Sequence, residues 1–330
     1  MKDRSVPIMI AAALAAALLV VLLGYYNREP ARAKEKVVAI FKTSDASNAF
    51  WSAVRDGVES GAQDFGLEVS IRAPRDEIDV DDQMAMVRGA IAERPAAILL
   101  AADDVKRLVA PVREAKAAGI KVVCVDSFIE TADADAKVGT DNFEAGQKCG
   151  AALLGRVRPG ARVAVMSYVQ GSSTAIGRES GLRDALDDRV VVIDTSYSAS
   201  DADRAYALAK AMLGREKALD GIAALNLPTL LGAAKALAES GRKESVVLVG
   251  VDNSTEVMKY LERGVIRDVI VQKPFNMGYL SMQTIRELLD RKRPRPYLNT
   301  GSVDVDKLNM FEPQNQKLLF PVAGSRQRPY

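Results

Sequence analysis

Polar residues with hydrogen-bonding chemistry stand directly behind a series of short apolar runs. Lys42, Asn48, Phe50 and Trp51 follow "VVAIF", Asp103 and Asp104 follow "AAILLA", and Asp126 follows "KVVCV". Arg178 comes after "RVAVMSY", Asn226 after "GIAAL", Asp252 after "SVVLVGV" and Gln272 after "RDVIV". The set contains no nucleophile–base pair, and the lone glycine turn "GSS" at Gly171 is weak as a phosphate cradle. It suits a neutral, polyhydroxylated ligand. Carboxylates and amides bond vicinal hydroxyls, a guanidinium donates in a fixed fork, and an aromatic face covers the C–H side of a sugar ring. Taken singly, each residue has a plainer reading: an aspartate can cap a helix, an arginine can be a surface charge, and a tryptophan can be core. Their shared position behind the runs is what points to a site.

The runs are strands of two sheets. "VVAIF", "LEVSI", "AAILLA", "KVVCVD" and "KVGT" form one set, and "RVAVMSY", "VVVIDTSY", "GIAALN", "SVVLVGVD" and "RDVIVQ" a second. Amphipathic segments such as "VDDQMAMVRGAIAE", "LVAPVREAKAAG" and "ALAKAMLG" lie between them. Continuous apolar strands alternating with helices predict parallel sheets covered on both faces. About ten strands exceed one ordinary doubly wound sheet, so two Rossmann-like α/β lobes are expected. Each opens with a strand, a small-polar loop and a helix. In such sheets ligands bind outside the carboxyl ends of the strands, where the polar residues above stand. In the first helix Phe50, Val54, Val58 and Phe65 form the stripe that should face the sheet. Trp51 falls off its centre and is expected to stack on the ligand.

Composition narrows the function further. The chain has 330 residues, 48% hydrophobic and 27% charged, with a formal net charge of +2, which gives no basic surplus for nucleic acid. It has no histidine, which excludes a Ser-His-Asp triad and any histidine metal ligand. Cys124 and Cys149 stand apart in apolar surroundings and read as buried, inert thiols. Neither a metal nor a cofactor is expected. Near the N-terminus the uncharged run from Val6 to Tyr26 is about long enough to span a bilayer. Residues 1–36 are therefore expected to be a membrane anchor. A cleaved signal segment ending in "ARA" at Ala33 is the competing reading.

From Val37 to about Gly301 the chain resembles the type I periplasmic binding proteins of the ribose-binding group, receptors of sugar ABC transporters. The resemblance is carried by "SNAFWSAVRDGVESGAQDFG", "ILLAADD", "GIKVVCVDS", "VGTDNFEAGQ", "GRESGLRDAL", "LVGVDNSTEVMKYLERG" and "VIVQKPFNMGY". It implies two hinge-connected lobes, residues 37–141 with 273–302 and residues 142–272 with 303–330. It implies sugar contacts from Asn48, Phe50, Trp51 and Asp126 in the first lobe, and from Arg178, Asn226, Asp252 and Gln272 in the second lobe and hinge. Asp103 and Lys42 join the expected ligand set. Asp103 follows alanines where ribose receptors have asparagine. Lys42 resembles a residue in receptors of a furanosyl quorum-sensing signal. Ser127 stands where ribose receptors have arginine, and small residues around Ser200 replace an aromatic, with Tyr197 only nearby. These departures leave the sugar open, ribose included. The implied partners are an ABC permease or, for a tethered receptor, a membrane sensor kinase. A sugar-responsive repressor would need a helix-turn-helix where the apolar run stands. A glycosidase using Asp126 and Asp252 as paired carboxylates is the enzymatic alternative, set behind neutral hydrogen bonding, so no enzyme activity is expected.

Overall fold

The structure is a computed structural model and describes residues 34–319. The expected N-terminal anchor lies outside the described residues. Valine-, isoleucine- and alanine-rich runs become strands, and those inside each sheet are buried almost throughout because helices cover both faces, whereas the edge strands after the first helix of each sheet are only partly buried. β1 (Glu35–Ile40), β2 (Leu67–Arg72), β3 (Ala97–Leu100), β4 (Lys121–Val125) and β5 (Ala136–Gly139) belong to the first sheet. β6 (Ala161–Ser167), β7 (Val190–Tyr197), β8 (Gly221–Ala224), β9 (Val247–Val251) and β10 (Asp268–Val271) belong to the second. Two further strands, β11 (Tyr297–Asn299) and β12 (Val303–Asp306), escape the sequence reading. They are three and four residues long and carry few buried side chains, so they show no apolar run.

The sheets repeat one plan, β11-β5-β4-β3-β1-β2 and β12-β10-β9-β8-β6-β7. β1–β3, β3–β4, β4–β5, β5–β11, β6–β7, β6–β8, β8–β9 and β9–β10 pair in parallel, and β10 pairs with β12 antiparallel. The helices are α1 (Ala49–Asp64), α2 (Val80–Ala92), α3 (Val109–Ala117), α4 (Asn142–Leu154), α5 (Ser173–Leu186), α6 (Ala202–Arg215), α7 (Leu227–Ser240), α8 (Thr255–Glu262), α9 (Pro274–Leu289) and α10 (Pro313–Leu319). None of the described helices is long and apolar enough to cross a membrane.

Connection order differs from spatial order at three places. α4 follows β5 of the first sheet but packs on β8, β9 and β10 of the second. α9 follows β10 of the second sheet but packs on α1, β4 and β5 of the first, and β12 follows β11 from the first sheet into the second. The chain therefore crosses between the two sheets at Thr140–Asp141, at Gln272–Lys273 and around Gly301. The crossings are laced together. The Asp141 amide donates to Asn299 Oδ1 at 3.1 Å, and Lys148 Nζ donates to the Ser302 carbonyl at 2.8 Å. Glycines allow the crossing helices to seat closely: a Cβ on Gly57 of α1 would lie 2.1 Å from the Phe275 carbonyl of α9. One on Gly181 of α5 would lie 2.0 Å from the Phe143 carbonyl of α4.

Candidate functional site

The two sheets face each other with their strand carboxyl ends, and a cavity of about 320 Å³ lies between them. Nine of the ten residues proposed from the sequence line it: Lys42, Asn48, Phe50, Trp51, Asp126, Arg178, Asn226, Asp252 and Gln272. The tenth, Asp103, is fully buried behind them and is not in the lining. Its backbone amide donates to Gln83 Oε1, whose amide nitrogen bonds the carbonyls of Phe41 and Ala101. Gln83 thus ties the ends of β1 and β3 together and holds Asp103 in the wall.

Matching positions in the two sheets carry matching devices. β4 and β9 hold the same place in their sheets, and each ends in an aspartate with left-handed backbone, Asp126 at φ 59° and Asp252 at φ 79°. Positive φ is disfavoured for a residue with a side chain and persists only where surrounding structure enforces it. Here the enforcement is a ladder bond. The Asp126 amide donates to the Val138 carbonyl and the Asp252 amide to the Ile270 carbonyl, both at 2.9 Å. Each carboxylate is thereby placed at the cavity from an opposite lobe.

Arg178 reaches the cavity from the second turn of α5. It is 3% exposed, donates to the Leu225 carbonyl at 2.8 Å and to Asn142 Oδ1 at 2.9 Å, and lies 3.6 Å from Asp252 Oδ2. Gln272 Nε2 donates to the other Asp252 oxygen, Oδ1, at 2.5 Å. Asn48 and Asn226 cap α1 and α7 with their Oδ1 atoms. Capping and cavity lining are combined in the same side chains, because the helix N-termini open at the sheet edge where the cavity lies. Phe50 and Trp51 are 9% and 5% exposed, and Trp51 stacks on Phe41 at 5.4 Å between ring centroids, with Phe50 edge-on at 5.2 Å. Both aromatics reach the cavity, and both also belong to the core.

The site is electrically dense. Two cations, Lys42 and Arg178, and three carboxylates, Glu77, Asp126 and Asp252, line it. Lys42 Nζ lies 2.8 Å from Glu77 Oε2 and donates across the cleft to Ser172 Oγ at 3.0 Å. Burial draws the Lys42 ammonium down, but Glu77 and then Asp103 outweigh it and hold the pKa above the ordinary lysine value. Burial pushes Asp126 up to about 6, against the pull of Lys42 and Arg178. Asp252 is raised for the same reason, against Arg178 and Gln272. The lobes also touch directly: the Val105 amide donates to the Gly171 carbonyl at 2.9 Å, and the Phe128 amide to Ser173 Oγ at 2.7 Å. No cluster of histidine, cysteine or carboxylate side chains that could hold a metal occurs among the described residues.

The family model for the periplasmic binding protein domain matches residues 38–293, well over half of the chain. The chain belongs to the periplasmic binding protein family. This binding protein has the type I fold, two mostly parallel α/β sheets, and its family is one of binding proteins rather than enzymes. It is 27% identical over 270 residues to the D-ribose/D-allose-binding protein of Pseudomonas aeruginosa, covering 79% of this chain and 84% of that one. It is 27% identical over 267 residues to the D-allose-binding periplasmic protein of Escherichia coli, covering 78% and 85%. Among solved structures, an ABC-transporter solute-binding protein from Agrobacterium vitis with bound D-fucose superposes with a TM-score of 0.83. That pair is 28% identical and covers 86% of this chain and 100% of the other. A sugar transporter from Clostridium phytofermentans is 32% identical, with a TM-score of 0.78 over 83% of this chain and 100% of that one.

Sequence reasoning missed Glu77, Tyr168 and Thr174, which also line the binding protein's cavity. Tyr168 had a signal: it stands just beyond the end of β6 as Lys42 stands just beyond β1, and β1 and β6 occupy matching places. Glu77 had none, because it sits in the polar loop "APRDEID" and only the fold carries it to Lys42. Tyr197, near the position of the replaced aromatic, lies outside the cavity lining, where its hydroxyl donates to Glu179 at 3.1 Å.

Proposed function

We propose that this chain is an extracytoplasmic sugar receptor that closes its two lobes on a monosaccharide and presents it to an ABC permease. The observation that carries the reading is the opposed pair Asp126 and Asp252, one from each lobe, flanked by Arg178 and Gln272 around a cavity of about 320 Å³. The carboxylates accept from hydroxyls, Arg178 and Gln272 orient the Asp252 carboxylate, and Phe50 and Trp51 supply an apolar wall. With three carboxylates against two cations, the lining disfavours an anionic ligand and suits a neutral one. Ligand contacts with both lobes favour the closed arrangement, and the three crossings near Thr140, Gln272 and Gly301 are the hinge. Relatives that bind ribose, allose and fucose support the ligand class.

A second reading, a tethered receptor feeding a sensor kinase, is favoured by one feature, the uncharged run from Val6 to Tyr26. The ligand class is tested by a thermal-shift screen of pentoses, hexoses and deoxyhexoses against amino acids and dicarboxylates. At a hundred times its Kd a true ligand stabilises the fold by about 2.7 kcal/mol. A shift with amino acids or dicarboxylates and none with any sugar overturns the reading. Fractionation with mass determination of the mature chain separates the tethered form from a cleaved one.

A further inference from the structure

A second, larger cavity adjoins the first. It holds about 1270 Å³ of empty space against about 320 Å³, and the two share Asn48, Glu77, Leu227 and Pro228 in their linings. They therefore adjoin across these four residues as an inner and an outer chamber. The outer chamber lies among the loops that follow β1, β2 and β7. β2 and β7 are edge strands on the side of each sheet away from β5, β10, β11 and β12, next to which the chain crosses between lobes. The outer chamber is the mouth of the cleft, opposite the hinge.

Its walls are built, not slack. In the second lobe the loop after β7 turns back at once through two consecutive left-handed residues, Ala199 at φ 58° and Ser200 at φ 59°. The Ser198 and Ala199 amides pin it to the carbonyls of Ser167 and Tyr168 at 3.0 and 2.9 Å. Only small side chains project from it, so the space in front stays open. The facing loop of the first lobe is pinned as well. The Ser44 amide donates to the Pro74 carbonyl and Thr43 Oγ1 to the Arg75 carbonyl, each at 2.8 Å.

The chemistry of the chamber selects its occupant. Each of its four acids has a partner: Asp201 caps α6 through the Arg204 amide, Asp45 accepts from the Ser47 amide, Glu77 pairs with Lys42, and Asp76 lies 3.6 Å from Arg75 Nε. Beside these stand an apolar wall of Ile78, 56% exposed, and Leu231, the Ser200 hydroxyl, which accepts from Asn226 Nδ2 at 3.0 Å, and the exposed arginines Arg75 and Arg204. That mixture suits a ring with C–H faces against the apolar wall and hydroxyl edges that the guanidiniums can bond. Resting on the sugar-receptor reading above, we propose that the chain accepts a two-ring ligand. One sugar ring sits in the inner chamber, and a glycosidic oxygen passes between Asn48 and Glu77 to a second ring in the outer chamber.

The test is calorimetry on the purified chain with D-glucose, D-galactose and D-xylose, and with maltose, cellobiose, lactose, melibiose and xylobiose. At least one disaccharide is expected to bind as tightly as, or more tightly than, the monosaccharides it contains. Ile78→Trp, which fills the outer chamber, should weaken that disaccharide at least tenfold and leave the monosaccharide within about twofold. Leu231→Trp fills the chamber from the other lobe and should do the same. Monosaccharide binding with every disaccharide at least a hundredfold weaker overturns the two-ring proposal and leaves the sugar reading standing. So does a disaccharide whose affinity neither variant changes. A chain that binds none of these sugars, and that no other pentose, hexose or deoxyhexose stabilises in the thermal-shift screen, overturns both.

Discussion

Replacing Asp126 by asparagine tests the electrostatics of the site at one atom. Asparagine tolerates the left-handed backbone that Asp126 adopts, so the substitution changes charge without adding strain. The Asp126 carboxyl is buried and its pKa stands at about 6 instead of 3.8. The folded state therefore binds more protons than the unfolded state between those values, so this group's contribution to stability falls as pH rises from about 4 to about 6 and is level above. That gap corresponds to about 3 kcal/mol. The advantage of Asp126→Asn over the parent protein should widen by this amount between pH 4 and pH 7 in ligand-free chemical denaturation. Ligand binding reverses the sign. A hydroxyl that donates to the carboxylate favours its ionised form, which draws the pKa back down and makes binding tighter above pH 6. One pH unit below the pKa about a tenth of the sites are ionised, so affinity at pH 5 should be about tenfold weaker than at pH 7.5. Asp126→Asn should lose this pH dependence along with part of its affinity. A flat affinity between pH 5 and 7.5, together with a stability gap that does not change with pH, would refute the placement of an ionisable Asp126 against the ligand.

Arg178→Ala is expected to weaken both binding and the fold. It leaves the buried Asp252 without its cation, a loss of about 3–5 kcal/mol measurable by urea denaturation; a stability unchanged within about 1 kcal/mol would contradict the buried pairing. Trp51 is the only tryptophan, so its emission reports the cavity wall alone; it should be blue-shifted in the free protein and change in intensity when sugar is added. Trp51→Ala should cost about 3–5 kcal/mol of stability because the indole also packs on Phe41. Gly181→Ala should destabilise by about 1–3 kcal/mol instead of stabilising α5, since its methyl group meets the Phe143 carbonyl. A thermal midpoint equal to that of the parent would show that the α4–α5 contact is looser than described.

The legible part of the site was the part set by local pattern. A parallel strand covered on both faces must be apolar throughout, so its end is marked by the first polar residue, and that residue is at the ligand-binding edge. Lys42, Asp126, Asn226, Asp252 and Gln272 were all found this way. The same rule selected Asp103, and the structure buries it behind the cavity, bonded through its amide to Gln83. The periodicity argument separated Phe50 from Trp51 as sheet-facing and ligand-facing, whereas in the structure both line the cavity and both belong to the core. Phe41, just beyond β1, reaches up to stack on the indole. A helical wheel sees neighbours along one helix and not the strand residue that comes to meet them.

By itself the sequence determined the repeating strand–helix plan, the two-lobe count, the absence of imidazole chemistry and the inventory of strand-end polar groups. These follow from side-chain type and spacing along one stretch of chain. Tertiary structure decided which groups share a cavity. That depends on strand order, and parallel neighbours such as β1 with β3 or β6 with β8 are joined by hydrogen bonds between segments distant in sequence. It also decided that Glu77 pairs with Lys42 and that β11 and β12 complete the sheets. Each of these results from the chain crossing three times between two sheets, and no local periodicity records where a crossing chain comes to rest.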